Sequence, residues 1–217
     1  MKRLQTQNQL QDFLDAEFGW RIKEISALKA AVKSSPYISE QTLVRASIAL
    51  LYAHWEGFIK SAATAYVTYV NNQGLSYSEL QTCFVVLGFK KTLHDAQQSK
   101  QSQLNVTLVE FIRDGLGEKS KLKIDTAINT ESNLSAAVFE NILQAVGFEV
   151  SPYEAKTNLI NESLLKRRNT IAHGEYIGVA KEDWSKLADE VLQMLRQFKT
   201  DIENAMVMSS FKRKVEF

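Results

Sequence analysis

The feature that most constrains the fold is a run of apolar residues with helical spacing near the start of the chain. Between Leu4 and Val32, apolar side chains recur every three or four residues, which is the pattern of an amphipathic α-helix. The same spacing returns along the rest of the chain, and no segment shows a strand pattern of comparable strength. The sequence therefore predicts an all-α protein, organised as a helical bundle.

The predicted helices begin and end at residues that commonly start or stop helices. Ser34, Ser35 and Pro36 close the first helix, and Ser39 is the predicted N-cap of a second that reaches about Asn72. Ser78 opens a box-like Ser-Glu-Leu-Gln sequence. Further helices are predicted over residues 78–86, 104–116, 133–146, 156–173 and 184–205. We interpret residues 1–217 as a single domain with a helical insertion at about 75–147.

Composition narrows the class of protein. The 217 residues are 45% hydrophobic and 24% charged, with a formal net charge of +1, so a soluble globular protein is expected. Any RNA contact needs a local basic patch, or is brief enough for catalysis without tight binding. A single cysteine, Cys83, cannot form an internal disulfide and is expected to be a buried apolar residue. No signal-peptide or membrane-spanning pattern is found, so we expect a cytoplasmic protein with no membrane partner.

One short segment combines residues suited to acid–base and phosphate chemistry. Arg168, Asn169 and His173 fall within six residues of the predicted helix that ends at Gly174. Histidine titrates near neutral pH, and arginine stays charged and can hold a phosphate through its planar fork. With the ribose 2′-hydroxyl as nucleophile, these groups suffice to cleave RNA without a metal. A basic, glycine-capped helix end is equally what the helix dipole favours, so the spacing alone decides nothing.

This segment resembles the signature of the HEPN superfamily, in which an arginine precedes a histidine by four to six residues and is followed by a polar residue. Arg168, Asn169 and His173 match it, and Arg167 offers an alternative spacing. A second segment, Leu51 to Lys60, is similar to a bacterial HEPN branch found beside toxin–antitoxin and phage-defence genes.

The resemblance implies a HEPN-like bundle that forms a homodimer, with a composite active site built from both copies and RNA as the substrate. It implies ribonuclease activity without a metal or another cofactor, in a toxin or antiviral-defence setting with a possible antitoxin or defence partner protein. Several HEPN members without the motif are binding modules only, so a protein- or nucleotide-binding dimer is the alternative. A third alternative makes Tyr176 a target of nucleotide transfer.

Several other residues carry open alternatives. Glu56 and Lys60 are spaced for a surface ion pair, whereas the resemblance favours a role for Glu56 in supporting His173; spacing does not decide between them. His54 is interpreted as a core or interface residue, with a supporting role at the site as the second reading. His94 is expected to be solvated. Two sets could bind RNA or be purely structural: the lysines 90, 91, 100, 119, 121 and 123, and the tyrosines 66, 69 and 77.

Overall fold

The computed structural model describes residues 4–89, 102–124, 128 and 133–214. Among these residues the structure is helical, with two isolated β-bridges and no strand, which confirms the all-α prediction. The α-helices are α1 (Gln7–Ser34), α2 (Tyr37–Asn72), α3 (82–89), α4 (Ser102–Asp114), α5 (Ala136–Ala145), α6 (Arg167–Ala172) and α7 (Lys181–Val207). Short 3-10 turns cover Tyr77–Glu79, Gly115–Gly117 and Ser151–Lys156, and a π-helix covers Leu159–Lys166.

Three long helices form the core of the bundle. Helices α1, α2 and α7 each pack against the other two, and α2 lies at the centre, with nearly every residue from 58 to 70 turned away from solvent. Trp55 of α2 and Phe198 of α7 are fully buried, and the Phe139 ring of α5 packs edge-on against both, at 4.9 and 5.8 Å between ring centroids. Burying aromatic rings of this size dominates the stabilisation of such a core.

Two predicted helix starts are wrong. Helix α2 begins at Tyr37 with Pro36 as its N-cap, and Ser39 lies in the first turn, where its hydroxyl donates to the Pro36 carbonyl at 3.3 Å. The predicted box at Ser78 is likewise displaced, because Ser76 and Glu79 form the capping box and α3 starts only at residue 82. The cap of α2 is a proline without a side-chain cap hydrogen bond, and the serine that caps the second region is Ser76, so residue propensity alone did not identify either position.

The tyrosines at positions 66, 69 and 77 are core residues. Their side chains are at most 6% exposed, which confirms the interpretation of these tyrosines as core residues over the alternative that they stack bases. Within the described ranges, no helix combines the length and apolar character needed to cross a lipid bilayer. The boundaries of the insertion predicted at about 75–147 stay a prediction.

Candidate active site

The helix that carries the arginine and histidine does not have regular α-helical geometry throughout. Residues Leu159–Lys166 form a π-helix, and α6 continues directly from it. A π-helix has wider turns than an α-helix and is common at functional sites, since it changes the direction in which the following side chains point. The π-helix ends before Arg168, and α6 carries Arg168 and Asn169 with His173 at its C-cap, so α-helical spacing still relates these three residues to one another.

The end of α6 is fixed by a glycine with a left-handed backbone. Gly174 has φ +79°, its N–H donates to the Ile171 carbonyl at 3.1 Å, and the Glu175 N–H donates to the Thr170 carbonyl at 3.0 Å. These two bonds are the Schellman arrangement that closes a helix. They leave His173 at the C-cap, directly after Ala172, and its imidazole is exposed and free of hydrogen bonds and ion pairs to the described residues.

Asn169 lies one turn before His173 on the same face, as the sequence predicted. The His173 backbone N–H donates to the Asn169 carbonyl at 2.9 Å. The side chain of Asn169 is half-buried. An amide and an imidazole therefore share one face at the end of α6, where both are open to a ligand.

Arg168 points towards the body of the protein and not over this face. Its Nη2 donates a hydrogen bond to Oδ1 of Asn133, and its guanidinium carbon lies 4.0 Å from the centroid of the Tyr52 ring. Within the described part of the chain, its Nε is buried without a hydrogen-bond partner. The side chain as a whole is half-buried, so the guanidinium is held in place by two elements distant in sequence.

Tyr52, whose ring packs against the Arg168 guanidinium, is itself held in place by a hydrogen bond. Its hydroxyl accepts the Leu134 backbone N–H at 2.6 Å. Burial raises the pKa of Tyr52, and the nearby Glu56 carboxylate raises it further, against the lowering effects of Arg168 and the Leu134 N–H. Tyr52 is therefore a protonated, buried ring that positions Arg168.

The segment leading into α5 joins the site at three points. Asn133 accepts from Arg168, Leu134 donates to Tyr52, and the Ala136 N–H donates to Oδ1 of Asn161 in the π-helix at 2.9 Å. Helix α2, the start of α5 and the π-helix followed by α6 consequently meet around the guanidinium.

The loop that follows His173 is anchored to the start of α2. Nη2 of Arg45 donates to the Glu175 carbonyl at 2.9 Å. The Gln41 amide donates to the Val179 carbonyl and accepts the Val179 N–H, each at 3.2 Å. We name residues 174–180 the post-motif loop. Its attachment to α2 fixes the backbone on the far side of His173.

His54 lies on the side of α2 that faces α1. Residues two positions apart on a helix point to nearly opposite sides, so His54 points away from Tyr52. It is 4% exposed, with Nε2 2.9 Å from Oε2 of Glu24 and its ring edge-on to Trp20 at 5.2 Å. This placement fits the interpretation of His54 as an interface residue within the chain.

The remaining supporting candidates are only partly brought to the site. Glu56 lies close enough to Tyr52 to raise its pKa, and no contact joins Glu56 to His173 or to Lys60 among the residues the structure describes. Lys60 lies beside the groove between α1 and α2, with Gly57 and Phe13. Arg167 is half-buried next to Arg168, so the chain's own contacts favour Arg168 as the arginine that the protein holds in position.

Other predicted features fall outside this site. Burial raises the pKa of Cys83 to about 11, which keeps the thiol protonated and agrees with its interpretation as a non-nucleophilic residue. Lys119 and Lys121 are exposed, whereas His94 and the lysines at 90, 91 and 100 lie outside the described residues. Among the described side chains, no three His, Cys, Asp or Glu residues come together as a candidate metal site.

Sequence reasoning missed Tyr52, Asn133 and Arg45 as site residues. Arg45, Tyr52 and Glu56 are spaced by seven and four residues, so they lie on one face of α2. That shared face is a signal that could have identified Arg45 and Tyr52. Asn133 lies outside any helix, and no spacing rule connects it to Arg168.

The all-α fold agrees with a comparison against known families. The RiboL-PSP-HEPN family model matches residues 16–204. Because the match covers most of the chain, the protein belongs to this family, and the membership in the HEPN superfamily predicted from the two motifs is confirmed. No curated protein and no solved structure matches the chain significantly.

Proposed function

We propose that the protein is a metal-independent endoribonuclease that acts as a homodimer. The observation that carries the proposal is the exposed His173 imidazole at the end of α6, which has no partner among the residues the structure describes. The same helix holds Arg168, and the chain belongs to the HEPN family. An imidazole can act as a general acid or a general base. A guanidinium has five N–H donors, so the bond to Asn133 leaves donors for a phosphate.

In this proposal each residue has one chemical role. His173 removes the proton of the ribose 2′-hydroxyl or protonates the leaving 5′-oxygen. Arg168 stabilises the negative charge of the phosphorane, and Asn169 orients the phosphate on the face that it shares with His173. The oxygen–phosphorus bond to the 5′-oxygen breaks as the 2′-oxygen attacks. The products are a 2′,3′-cyclic phosphate and a 5′-hydroxyl.

The dimer brings two copies of this helix end around one RNA strand, which forms a composite active site. Toxin or phage-defence activity, restrained by a partner protein, is the biological setting that we propose from the family. We further propose that residues 1–217 act as one domain and that the region of about 75–147 is an insertion.

A non-catalytic dimer that binds a protein or nucleotide is the second candidate. The observation that favours it is the engagement of Arg168 with Tyr52 and Asn133, which occupies part of the guanidinium before any ligand arrives. The net charge of +1 also provides little general attraction for RNA.

Product analysis separates the two candidates. Purified protein is incubated with a single-stranded RNA in EDTA, and the fragment ends are analysed by mass spectrometry, with an RNA carrying 2′-deoxyribose at the cleavage position as the control. The ribonuclease leaves cyclic phosphate ends and does not cut the deoxy control. Intact RNA, in a preparation that sedimentation shows to be dimeric, supports the binding module instead.

A further inference from the structure

Tyr176 is an exposed aromatic residue close to the proposed catalytic histidine. It lies three residues after His173 in the post-motif loop, and 75% of its side chain is exposed. The proposed mechanism does not use it. An exposed ring at this position is available to a ligand that reaches His173.

The Tyr176 ring is held in place by contacts between helix α2 and the post-motif loop. The Arg45 guanidinium carbon lies 5.6 Å from the Tyr176 ring centroid, within the range of a cation–π contact. Arg45 also binds the Glu175 carbonyl, and Gln41 binds both backbone groups of Val179. The backbone on each side of Tyr176 is therefore tied to α2, which reduces the entropy that a ligand must remove when it orders the ring.

We propose that Tyr176, with Arg45 behind it, is a stacking platform for one unpaired nucleobase beside the scissile phosphate. The proposal rests on the ribonuclease function and specifies its substrate as single-stranded RNA. Every base offers a π-face, so stacking on an aromatic ring binds RNA with little sequence preference. Inside a duplex both faces of a base are covered by its neighbours, so a paired strand cannot use the platform.

The cation behind the ring adds to this role. Arg45 brings a positive charge to the same loop, so the base and its phosphate meet an aromatic face and a guanidinium together. Nucleotide transfer to the Tyr176 hydroxyl would also use an exposed tyrosine. Stacking depends on the ring and transfer depends on the oxygen, so conservative substitutions separate the two.

The test measures binding without cleavage. A fluorescent RNA of about ten nucleotides, which is within the usual site size for single strands, carries 2′-O-methyl groups throughout so that the nucleophile is blocked. Its dissociation constant in EDTA is measured by anisotropy, alone and annealed to its complement, for wild type, Tyr176→Phe, Tyr176→Leu and Tyr176→Ala. Because the side chain is exposed, none of these substitutions removes a core residue.

Stacking predicts that Tyr176→Phe binds within about twofold of wild type, whereas Tyr176→Leu and Tyr176→Ala each weaken binding about tenfold. On a cleavable strand, the Leu and Ala variants raise KM while kcat changes little, and wild type binds the duplex more weakly than the single strand. Equal binding by Tyr176→Ala and wild type overturns the proposal. A loss in Tyr176→Phe as large as in Tyr176→Ala also overturns it, because the hydroxyl would then be the functional group.

The two proposals fail in different ways. A wild-type protein that binds the blocked strand through Tyr176 but leaves the cleavable strand intact contradicts the ribonuclease function and keeps the platform. A protein that cuts RNA equally well with or without the ring keeps the ribonuclease function and contradicts the platform. Absence of binding to any blocked strand overturns the platform.

Discussion

The guanidinium carbon of Arg168 lies 4.0 Å from the centroid of the Tyr52 ring, and the hydroxyl of that tyrosine accepts the backbone N–H of Leu134. The ring is buried on α2, and the arginine lies on α6. One residue of the central helix therefore positions a proposed active-site cation and at the same time satisfies a buried backbone donor at the entrance to α5.

Substitutions of Tyr52 separate these two tasks. Tyr52→Phe keeps the ring under Arg168 and leaves the Leu134 N–H without its acceptor, which lowers the free energy of unfolding by about 1–3 kcal/mol. Tyr52→Leu also removes the aromatic face. We expect Tyr52→Phe to cut RNA at nearly the wild-type rate and Tyr52→Leu to lose about ten- to a hundredfold in kcat, because the guanidinium is misplaced.

Urea unfolding and steady-state kinetics on one RNA measure both effects. The Tyr52→Phe variant is the matched control, because it lacks the same hydroxyl acceptor and keeps the ring. Equal kcat values for the Phe and Leu variants would show that Tyr52 has no positioning role.

His54 makes the stability of the fold depend on pH. Burial lowers the pKa of His54, the Glu24 carboxylate opposes this shift, and the Arg21 guanidinium adds to it. The unfolded chain, with the ordinary value of 6.5, then binds this proton more readily than the folded chain. Stability is therefore complete above about pH 6.5 and falls as the pH decreases through that value.

We expect the free energy of unfolding of the wild type to fall between pH 7 and pH 5, and this fall to be smaller in His54→Gln. Urea titrations of both proteins across this range give the two slopes. Identical slopes for His54→Gln and wild type would contradict the assignment.

We expect replacement of glycine by alanine to change the free energy of unfolding in opposite directions at Gly174 and at Gly19. Gly174 has φ +79° at the end of α6, so Gly174→Ala strains the backbone and costs about 1 kcal/mol. Gly19 lies within α1, and a Cβ there would meet no atom within 4 Å, so Gly19→Ala stabilises by about 0.5–1 kcal/mol.

Thermal or urea unfolding measures both variants. Gly174→Ala also shifts the backbone beside His173, so we expect it to reduce RNA cleavage, whereas Gly19→Ala leaves the cleavage rate unchanged. A Gly174→Ala protein as stable as wild type would contradict the role given to this helix end.

Helices α1 and α7 were predictable from sequence because each buries one continuous apolar stripe. The periodicity of Leu10, Leu14, Ile25 and Val32 predicted α1, and these four side chains are at most 1% exposed. Local sequence signals predicted the N-termini of the helices less accurately. Ser39 and Ser78 have the propensity of caps, but Pro36 and Ser76 hold those positions, because the path of the whole chain selects among several suitable residues.

Only the part of the site that is contiguous in sequence could be predicted. Arg168, Asn169 and His173 fall on one helix end, as their spacing indicated, whereas the residues that hold the Arg168 side chain lie on other segments of the chain. Its contacts with Tyr52 and Asn133 join segments 116 and 35 residues away along the sequence. Such contacts arise from packing, and a single sequence contains no direct record of them.

Cleavage of a single-stranded RNA in EDTA by four matched proteins tests the proposed site most directly. Wild type and Arg113→Ala, which removes an exposed arginine paired with Asp114, should cut at the same rate. His173→Ala and Arg168→Ala should each lose about a hundredfold or more, the usual effect of removing a general acid–base or an electrostatic stabiliser. Cutting at the wild-type rate by either of these two variants, with the same cyclic phosphate ends, would contradict the assignment of Arg168 and His173 as the catalytic pair.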